Sequence, residues 1–511
     1  MSEFPGGSPA GASPARGHRR SARSFGGALG WTVVGAVVPG TGFLAAGRRL
    51  LGALTLVVFL LLVGGGVWLA TGGRRTLIRT AVDTGALLWV VAAIALVAVL
   101  WIAVVVSGYR MLLPARTGRG KHVLGALVVL LLVALIAAPA VLAGRLAATQ
   151  RDLIAGVFDD NGKSATVASG SNPFGSQDRV NVLLLGGDGG AGRQGVRTDT
   201  VIVASIDTKT GNTTLFSLPR NLENLPFPPG SALAQAYPKG FTAPQESEGL
   251  LNAVYRNGPA LHPDILGPTD NPGADWLKLG VGQALGLKID YFVLVNLDGF
   301  SALVDALGGI TVNVNYYVPV GGEPSLGALP DAYIAPGPNQ HMDGATALAF
   351  ARGRFGLTDY DRMARQRCAI KAIIDAADPV TLLEQYQRLA ATTKDIVSTD
   401  IPRSVLDDFV NLGFTVKDAD VRSVVFDASL IDPAYPDYDQ MRQIVQESLA
   451  SPSTSATSSS SAASSSAAPT SGAAAPAAAP NPVADVGDAC KYDPVKAQQA
   501  IAAGQPPTKR G

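Results

Sequence analysis

Residues 180–189 read Val180-Asn181-Val182-Leu183-Leu184-Leu185-Gly186-Gly187-Asp188-Gly189. A short apolar run stopped by glycines is the pattern of a buried strand. Thr200 to Ile206 reads as a second strand, Asp207-Thr208-Lys209-Thr210-Gly211-Asn212 as a turn, and Thr213 to Leu218 as a third strand. The last two strands and their turn predict a hairpin. Residues 221–247 read as a Pro-rich loop. Helical patterns follow near 247–256 and 274–286, then a strand over Tyr291 to Leu297, a helix over 298–307 and a strand over Ile310 to Val314. Helices over 343–352 and 359–376 and a late strand over 421–426 complete the series. Strands and helices mixed in this order predict an α/β sandwich.

The chain has 511 residues and a net charge of +1, a balance that argues against bulk nucleic-acid binding. Its mean hydropathy of +0.24 comes mostly from the first 145 residues, which implies membrane segments. Stretches near 51–70, 86–107 and 123–144 are each long and apolar enough to span a bilayer. A fourth, near 28–46, contains Pro39-Gly40-Thr41-Gly42 and either spans or forms a broken, re-entrant helix. Three to four transmembrane segments are therefore expected.

Arg48 and Arg49, and Arg110, Arg116, Arg119 and Lys121, mark two basic loops. Placing both in the cytoplasm satisfies the positive-inside bias and puts everything after residue 145 outside, although Arg74, Arg75 and Arg79 then lie outside as well. The expected organisation is a disordered basic tail (1–27), a membrane region (28–145), a stalk (146–178), a folded domain (179–450), a Ser/Ala/Pro linker (451–480) and a short C-terminal segment (481–511). Two cysteines, Cys368 and Cys490, are too few for a disulfide framework. Either they form one bond, in an oxidising compartment, or they remain a buried thiol and an unpaired tail thiol. A bond would pin the C-terminal segment beside the 359–376 helix.

Charged residues recur in short clusters. Asp188 follows a strand in a glycine-rich turn, at the end of a strand where α/β proteins often place ligands. Arg197 and Asp199 lie two apart on a strand and so face one side. Arg220 follows Pro219, which fixes the local backbone. Arg352 and Arg354 flank Gly353 after an apolar helix, while Arg362 and Gln366 share a helix face with Arg365 beside them. Each cluster has a plainer explanation, such as an Asx turn, a surface ion pair or a salt-bridged helix. Together, many guanidiniums beside few carboxylates suit a pyrophosphate ligand with a divalent metal. No histidine or cysteine sits among them as a nucleophile, which excludes most hydrolase triads. No Gly-Lys-Ser/Thr follows the glycines, which excludes a P-loop.

The region 179–377 resembles the LytR–CpsA–Psr family of cell-wall glycopolymer ligases. The matching stretches are Val182 to Asp188, Arg197-Thr198-Asp199-Thr200, Ser217-Leu218-Pro219-Arg220 and Leu251-Asn252-Ala253-Val254-Tyr255. They continue with Val304 to Ile310, Asp343-Gly344 through Arg354, and Asp359-Tyr360-Asp361-Arg362-Met363-Ala364-Arg365-Gln366. The resemblance implies an extracellular α/β/α sandwich with a mixed sheet and an apolar pocket for a polyprenyl chain. It implies Mg²⁺-assisted transfer of a phosphoglycosyl polymer from a polyprenyl-pyrophosphate carrier to peptidoglycan. Carried over by motif, Asp188 and Asp199 hold the metal, and Arg197, Arg220, Arg352, Arg354, Arg362 and Gln366 bind the pyrophosphate. Asp188, Arg220, Arg352 and Arg354 are the expected catalytic set, with Asp188 as base. Asn221 departs from the aspartate common in the family, and an amide is no base. Two rival readings share these residues: a polyprenyl-pyrophosphate pyrophosphatase, and a non-catalytic lipid- or polymer-binding regulator of the envelope.

Overall fold

The computed structural model describes residues 22–509 except 23, 74–75, 77–78, 82, 116, 159, 161, 168–171, 175, 190–195, 324–325, 378–396 and 451–482. Residues 1–21 and 23 of the basic tail, Arg74, Arg75, Arg116 and the 451–480 linker thus lie outside the described residues, while the end of the tail expected to be disordered, from Phe25 on, is helical. The chain divides into two units, residues 1–148 and 149–511.

The first unit is helical. Among the described residues, three helices are long and apolar enough to cross a membrane: α3 (Arg49–Thr71), α4 (Thr84–Leu112) and α5 (Arg119–Val157). They contain the three predicted spans. The fourth stretch is broken into α1 (Phe25–Val37) and α2 (Thr41–Ala45). Gly40 supplies the break, with a φ of 102° that side-chain-bearing residues avoid. The 13 residues of α1 rise only about 20 Å, short of the roughly 30 Å of a bilayer core.

The second unit is built on a seven-stranded sheet of order β11-β10-β3-β2-β1-β4-β9. Its centre is β1 (Arg179–Gly187), β2 (Thr198–Asp207) and β3 (Thr213–Leu218). The predicted hairpin is β2 and β3, paired antiparallel from Val201↔Leu218 to Ile206↔Thr213. Asp207 closes its turn by accepting from the Lys209 and Thr210 amides at 2.9 and 2.7 Å. β4 (Tyr291–Val295) runs parallel to β1, and β10 (Val421–Val425) runs parallel to β3. β9 (Val397–Thr399) and β11 (Val483–Asp485) close the edges antiparallel. The sheet is therefore mixed, as expected.

Alternation along the strands sends side chains to two faces. Leu183, Leu185, Val201, Val203, Phe216 and Leu218 face one core. That core is covered by α7 (Leu251–Leu261) and α8 (Pro272–Leu285), and by α13 (Tyr438–Ala450). Leu184, Ile202, Ala204 and Leu215 face the other side, toward α11 (Asp359–Ala376). Helices on both faces make the α/β/α sandwich. α10 (Gly344–Arg352) packs against both α9 (Leu297–Ala306) and α11. A satellite core lies over two small sheets, β5 (Ile310–Val314) with β8 (Gly337–Met342), and β6 (Val318–Val320) with β7 (Ala332–Ile334).

Several stretches read as irregular are ordered by long-range contacts. The Pro-rich loop carries α6 (Ala232–Ala236) and sends Leu222, Leu225, Phe227, Leu233 and Phe241 into the first core. Part of the expected stalk lies on the unit, because Asp275 is buried and needs donors. It accepts from Ser164 Oγ at 2.9 Å, Ala165 N at 2.8 Å, Thr166 Oγ1 at 2.7 Å and Thr269 Oγ1 at 2.6 Å. α12 (Leu406–Lys417) precedes β10. The C-terminal segment, which the sequence reading set apart, adds β11 to the sheet. It continues as α14 (Val486–Ala489) and α15 (Pro494–Ala503). Cys368 on α11 is bonded to Cys490, 122 residues away.

A cross-link over so long a loop restricts the unfolded chain strongly. Cys490→Ser should lower the unfolding free energy of the second unit by about 2–4 kcal/mol. Thermal melts of the unreduced wild type, the reduced wild type and the variant check this. The wild type should melt highest, and coincident melts would show that the bond stabilises nothing.

Candidate functional site

A cavity of about 360 Å³ lies between the second sheet face and helices α9, α10 and α11. Its body is hydrocarbon: Leu184, Ile202, Phe300, Leu303, Ile370 and Ile373 are among the side chains that line it. One end is polar. β1 and β2 are antiparallel, with Gly186 opposite Thr200 and Gly187 opposite Thr198. The end of β1 therefore lies beside the start of β2, and Asp188 and Asp199 both line the cavity. β3 runs back to the same edge, where Leu218 pairs Val201 and Arg220 follows. α11 enters there too. Its start is fixed by a capping box between Thr358 and Asp361, which places Arg362 and Gln366 at the polar end and Ile370 and Ile373 further in.

Of the eight residues singled out in the sequence, Asp188, Asp199, Arg352, Arg354, Arg362 and Gln366 line this cavity. Arg220 joins them through ion pairs. Its Nη1 donates to Asp199 Oδ1 at 2.9 Å, and its Nε lies 3.5 Å from Asp359 Oδ1. Arg197 is different: its side chain is paired with Glu248, away from the cavity lining. Its backbone still matters, because the Arg197 amide donates to Asp188 Oδ1 at 2.8 Å and fixes that carboxylate. Gln366 Nε2 donates to the Ala351 carbonyl at 3.4 Å.

The organising carboxylate is one the sequence reading gave no role. Asp359 accepts from Arg362 Nε at 3.2 Å and Nη2 at 2.9 Å. Arg220 lies within 3.5 Å of it and Arg354 Nη1 within 3.8 Å. Three guanidiniums therefore share one carboxylate. Its spacing of three residues from Arg362 on one helix was the available signal. Arg362 Nη1 also donates to the Asp199 carbonyl at 2.6 Å, tying α11 to β2. Asn252 Nδ2 donates to Asp199 Oδ1 at 3.1 Å, which gives the quoted Leu251-Asn252 stretch a purpose. Glu248, bound by Arg197, Arg256 and Asn257, had no local signal. Arg365 is structural: it is buried, and donates to the carbonyls of Phe350, at 2.7 Å, and Gly353.

Burial pushes the Asp199 carboxyl upward. The hydrogen bond and charge of Arg220, the Asn252 amide and the charge of Arg362 outweigh it and hold Asp199 below the usual carboxylate range. At Glu248 the Asn257 amide leads, burial opposes it, and Arg256 and Arg197 add to the lowering. Both groups are thus ionised and anchor guanidiniums at neutral pH.

The carboxylates at the polar end suit a divalent cation. Asp188 and Asp199 face one cavity, and a hard cation is commonly held by one or two carboxylates with phosphate oxygens completing the shell. The two aspartates fit that mode. Among the described residues no group of three His, Cys, Asp or Glu side chains forms a cage, so such a cation would depend on the ligand's oxygens.

Because the folded Asp199 carboxyl is depressed, the native state binds fewer protons than the unfolded one in acid. The stability it contributes is present above its ordinary value of 3.8 and is lost as pH falls through the lower folded value. Asp199→Asn should therefore melt below wild type at neutral pH. The gap between the two melting temperatures should narrow as the pH falls from about 6 to about 3. A gap that stays constant across this series would mean that the carboxylate charge does not stabilise the fold.

The chain is similar in sequence to known bacterial proteins. The chain is 26% identical over 288 residues to Biofilm regulatory protein A of Streptococcus mutans, covering 55% of this chain and 63% of that protein. It is 29% identical over 231 residues to the polyisoprenyl-teichoic acid–peptidoglycan teichoic acid transferase TagU of Enterococcus faecalis, covering 44% and 63%. It is 30% identical over 223 residues to "Probable cell wall biosynthesis protein LcpB" of Corynebacterium glutamicum, covering 43% of each chain. The match thus spans less than two thirds of the length of these relatives. Residues 154–445, well over half of the chain, match the model of the LytR_cpsA_psr family, and the chain belongs to that family.

Proposed function

We propose that the protein is a membrane-anchored phosphotransferase that moves a phosphoglycosyl polymer from a polyprenyl-pyrophosphate carrier onto peptidoglycan. The observation that carries this reading is the gradient along one cavity, from Ile370 and Ile373 to Arg352, Arg354 and Arg362. An isoprenoid tail matches the hydrocarbon body, and a pyrophosphate head matches the guanidinium end. The name of the Enterococcus relative describes the same transfer for teichoic acid. Three apolar helices suit an anchor. The Cys368–Cys490 bond suits an oxidising, extracellular side, as does the basic-loop asymmetry.

The chemistry follows from the charges. An acceptor sugar hydroxyl attacks the phosphorus that carries the polymer, and the bond from that phosphorus to the bridging oxygen breaks. Polyprenyl phosphate leaves with the new negative charge. Arg352, Arg354 and Arg362 at the cavity, with Arg220 beside them, stabilise charge that grows on the leaving phosphate and the equatorial oxygens. The hydroxyl proton needs an acceptor, and Asp188 is the carboxylate placed for it in this reading, its orientation fixed by the Arg197 amide. Asp188 and Asp199 are the residues that would hold Mg²⁺. When bound, the ion would neutralise phosphate charge. The activated carrier supplies the driving force, since no ATP is available outside the cell.

Two predictions test this. Arg354→Ala should abolish transfer of labelled polymer to a peptidoglycan fragment while the melting temperature changes little; Arg220→Ala should abolish it too, with a melting temperature lowered as in Asp199→Asn because Asp199 loses its ion pair. Each removes a charge-assisted contact worth on the order of 2–4 kcal/mol, and lysine should restore little, lacking the planar fork. Full activity in either alanine variant would remove that residue from the site. Polymer released to water without attachment would favour the pyrophosphatase reading. In a Mg²⁺ titration, Asp188→Asn and Asp199→Asn should each need more metal for half-maximal transfer, and wild-type titration curves in both would place the metal elsewhere.

A further inference from the structure

The C-terminal segment reaches the arginine turn by two routes. It is bonded to α11 through Cys490 and Cys368, two residues past Gln366, and β11 is paired to β10 at Arg422↔Asp485. From there it grips the end of β5 and the residue that follows it. Asn313 Nδ2 donates to the Cys490 carbonyl at 3.0 Å and Asn315 Nδ2 to the Lys491 carbonyl at 3.1 Å. The Asp493 amide donates to Asn315 Oδ1 at 2.9 Å. Further on, the Lys509 amide donates to the Pro330 carbonyl at 3.0 Å, and its ammonium pairs with Asp331 at 3.0 Å.

Tyr316 sits at the junction. Lys496 of α15 lies 5.6 Å from the centre of its ring, and the Arg365 guanidinium lies 5.7 Å from the same ring. Arg365 Nη1 also donates to the Tyr316 hydroxyl at 2.9 Å. The remaining donors of Arg365 hold the Phe350 and Gly353 carbonyls, so this side chain closes the end of α10 where Arg352 and Arg354 project. The second route is steric. A Cβ on Gly353 would come 2.3 Å from the Pro319 carbonyl oxygen, so the backbone of β6 rests directly against the Arg-Gly-Arg turn.

We infer that residues 483–509 are a positioning strap for the site: through Lys496, Tyr316 and Arg365 they set the placement of Arg352 and Arg354. Neither Tyr316 nor Lys496 lines the cavity; both are positioning residues. Two cations on one ring hold the tyrosine in place, and the tyrosine hydroxyl orients the guanidinium that clamps the turn. The consequence for ligand binding rests on the pyrophosphate reading given above.

The test uses the full chain in detergent with its disulfide intact, geranylgeranyl pyrophosphate as the probe and geranylgeraniol as the phosphate-free control. Tyr316→Phe removes the hydroxyl and keeps the ring. Lys496→Met removes the charge and keeps the length, and Lys496→Arg restores a cation. Tyr316→Phe should weaken binding of the pyrophosphate roughly five- to tenfold. Lys496→Met should weaken it about two- to fivefold. Lys496→Arg should bind like wild type, and all variants should bind geranylgeraniol alike. Hydrogen exchange should quicken at amides 352–357 in Tyr316→Phe and Lys496→Met and stay unchanged in the sheet. Unchanged exchange at those amides, or a rise spread evenly over the second unit, overturns the strap. If the wild type itself does not bind the probe, the pyrophosphate reading fails, and the exchange measurement alone decides the strap.

Discussion

Four guanidiniums at one edge of a sheet repel one another, and the rest of the site is arranged around that fact. Two unit charges held about 5 Å apart repel by about 3 kcal/mol at an effective dielectric of about 20. The protein interleaves carboxylates to offset this. Asp359 takes Arg362, Arg220 and Arg354, and Asp199 takes Arg220. Glu248 takes Arg197 and Arg256 nearby. Four guanidiniums, of Arg220, Arg352, Arg354 and Arg362, stand against three carboxylates, of Asp188, Asp199 and Asp359, so this group keeps a positive excess at the polar end of the cavity. That excess is what a polyanionic head would neutralise.

α11 is the element through which this arrangement is built. Its first turn supplies Asp359 and Arg362. Its middle supplies Gln366 to the cavity, Arg365 to the clamp on α10 and Cys368 to the C-terminal bond. Its later turns supply Ile370, Ile373 and Ile374 to the hydrocarbon wall. One helix therefore carries charge at its start and grease further along. The cavity inherits the same direction because α11 lies along the sheet face of Leu184 and Ile202. The amphiphilic character of the proposed carrier is thus matched by the order of residues on a single helix.

The satellite region and the C-terminal segment support this helix from behind. After α10 ends at Arg352, Gly353 and Arg354 have no regular structure of their own. They are held by the buried Arg365 and by contact with Pro319. A guanidinium that must meet a phosphate with correct geometry gains from a rigid backbone, since loose placement loses the directional hydrogen bonds. The same economy applies to Asp188, whose carboxylate is fixed by the amide of Arg197.

Local pattern determined a good deal. The apolar run at 180–185, the β2–β3 hairpin and the 359–376 helix were readable because each depends on side-chain periodicity, turn chemistry or neighbours within a few residues. The apolar lengths at 51–70, 86–107 and 123–144 were readable for the same reason, and the family motifs marked Asp188, Asp199, Arg352, Arg354, Arg362 and Gln366, which the fold gathers at one cavity. Tertiary structure alone decided the partners. That Arg197 turns to Glu248, that Asp359 unites three arginines and that Asn252 supports Asp199 are contacts between residues far apart in the chain. So are the burial of Leu222, Leu225 and Phe241 from a loop without periodicity, and the return of residues 483–485 to the sheet edge. The two cysteines left both a bonded and an unbonded state open on paper. Their pairing required α11 and the C-terminal segment to meet in space, and a sequence separation of 122 contains no local signal of that meeting.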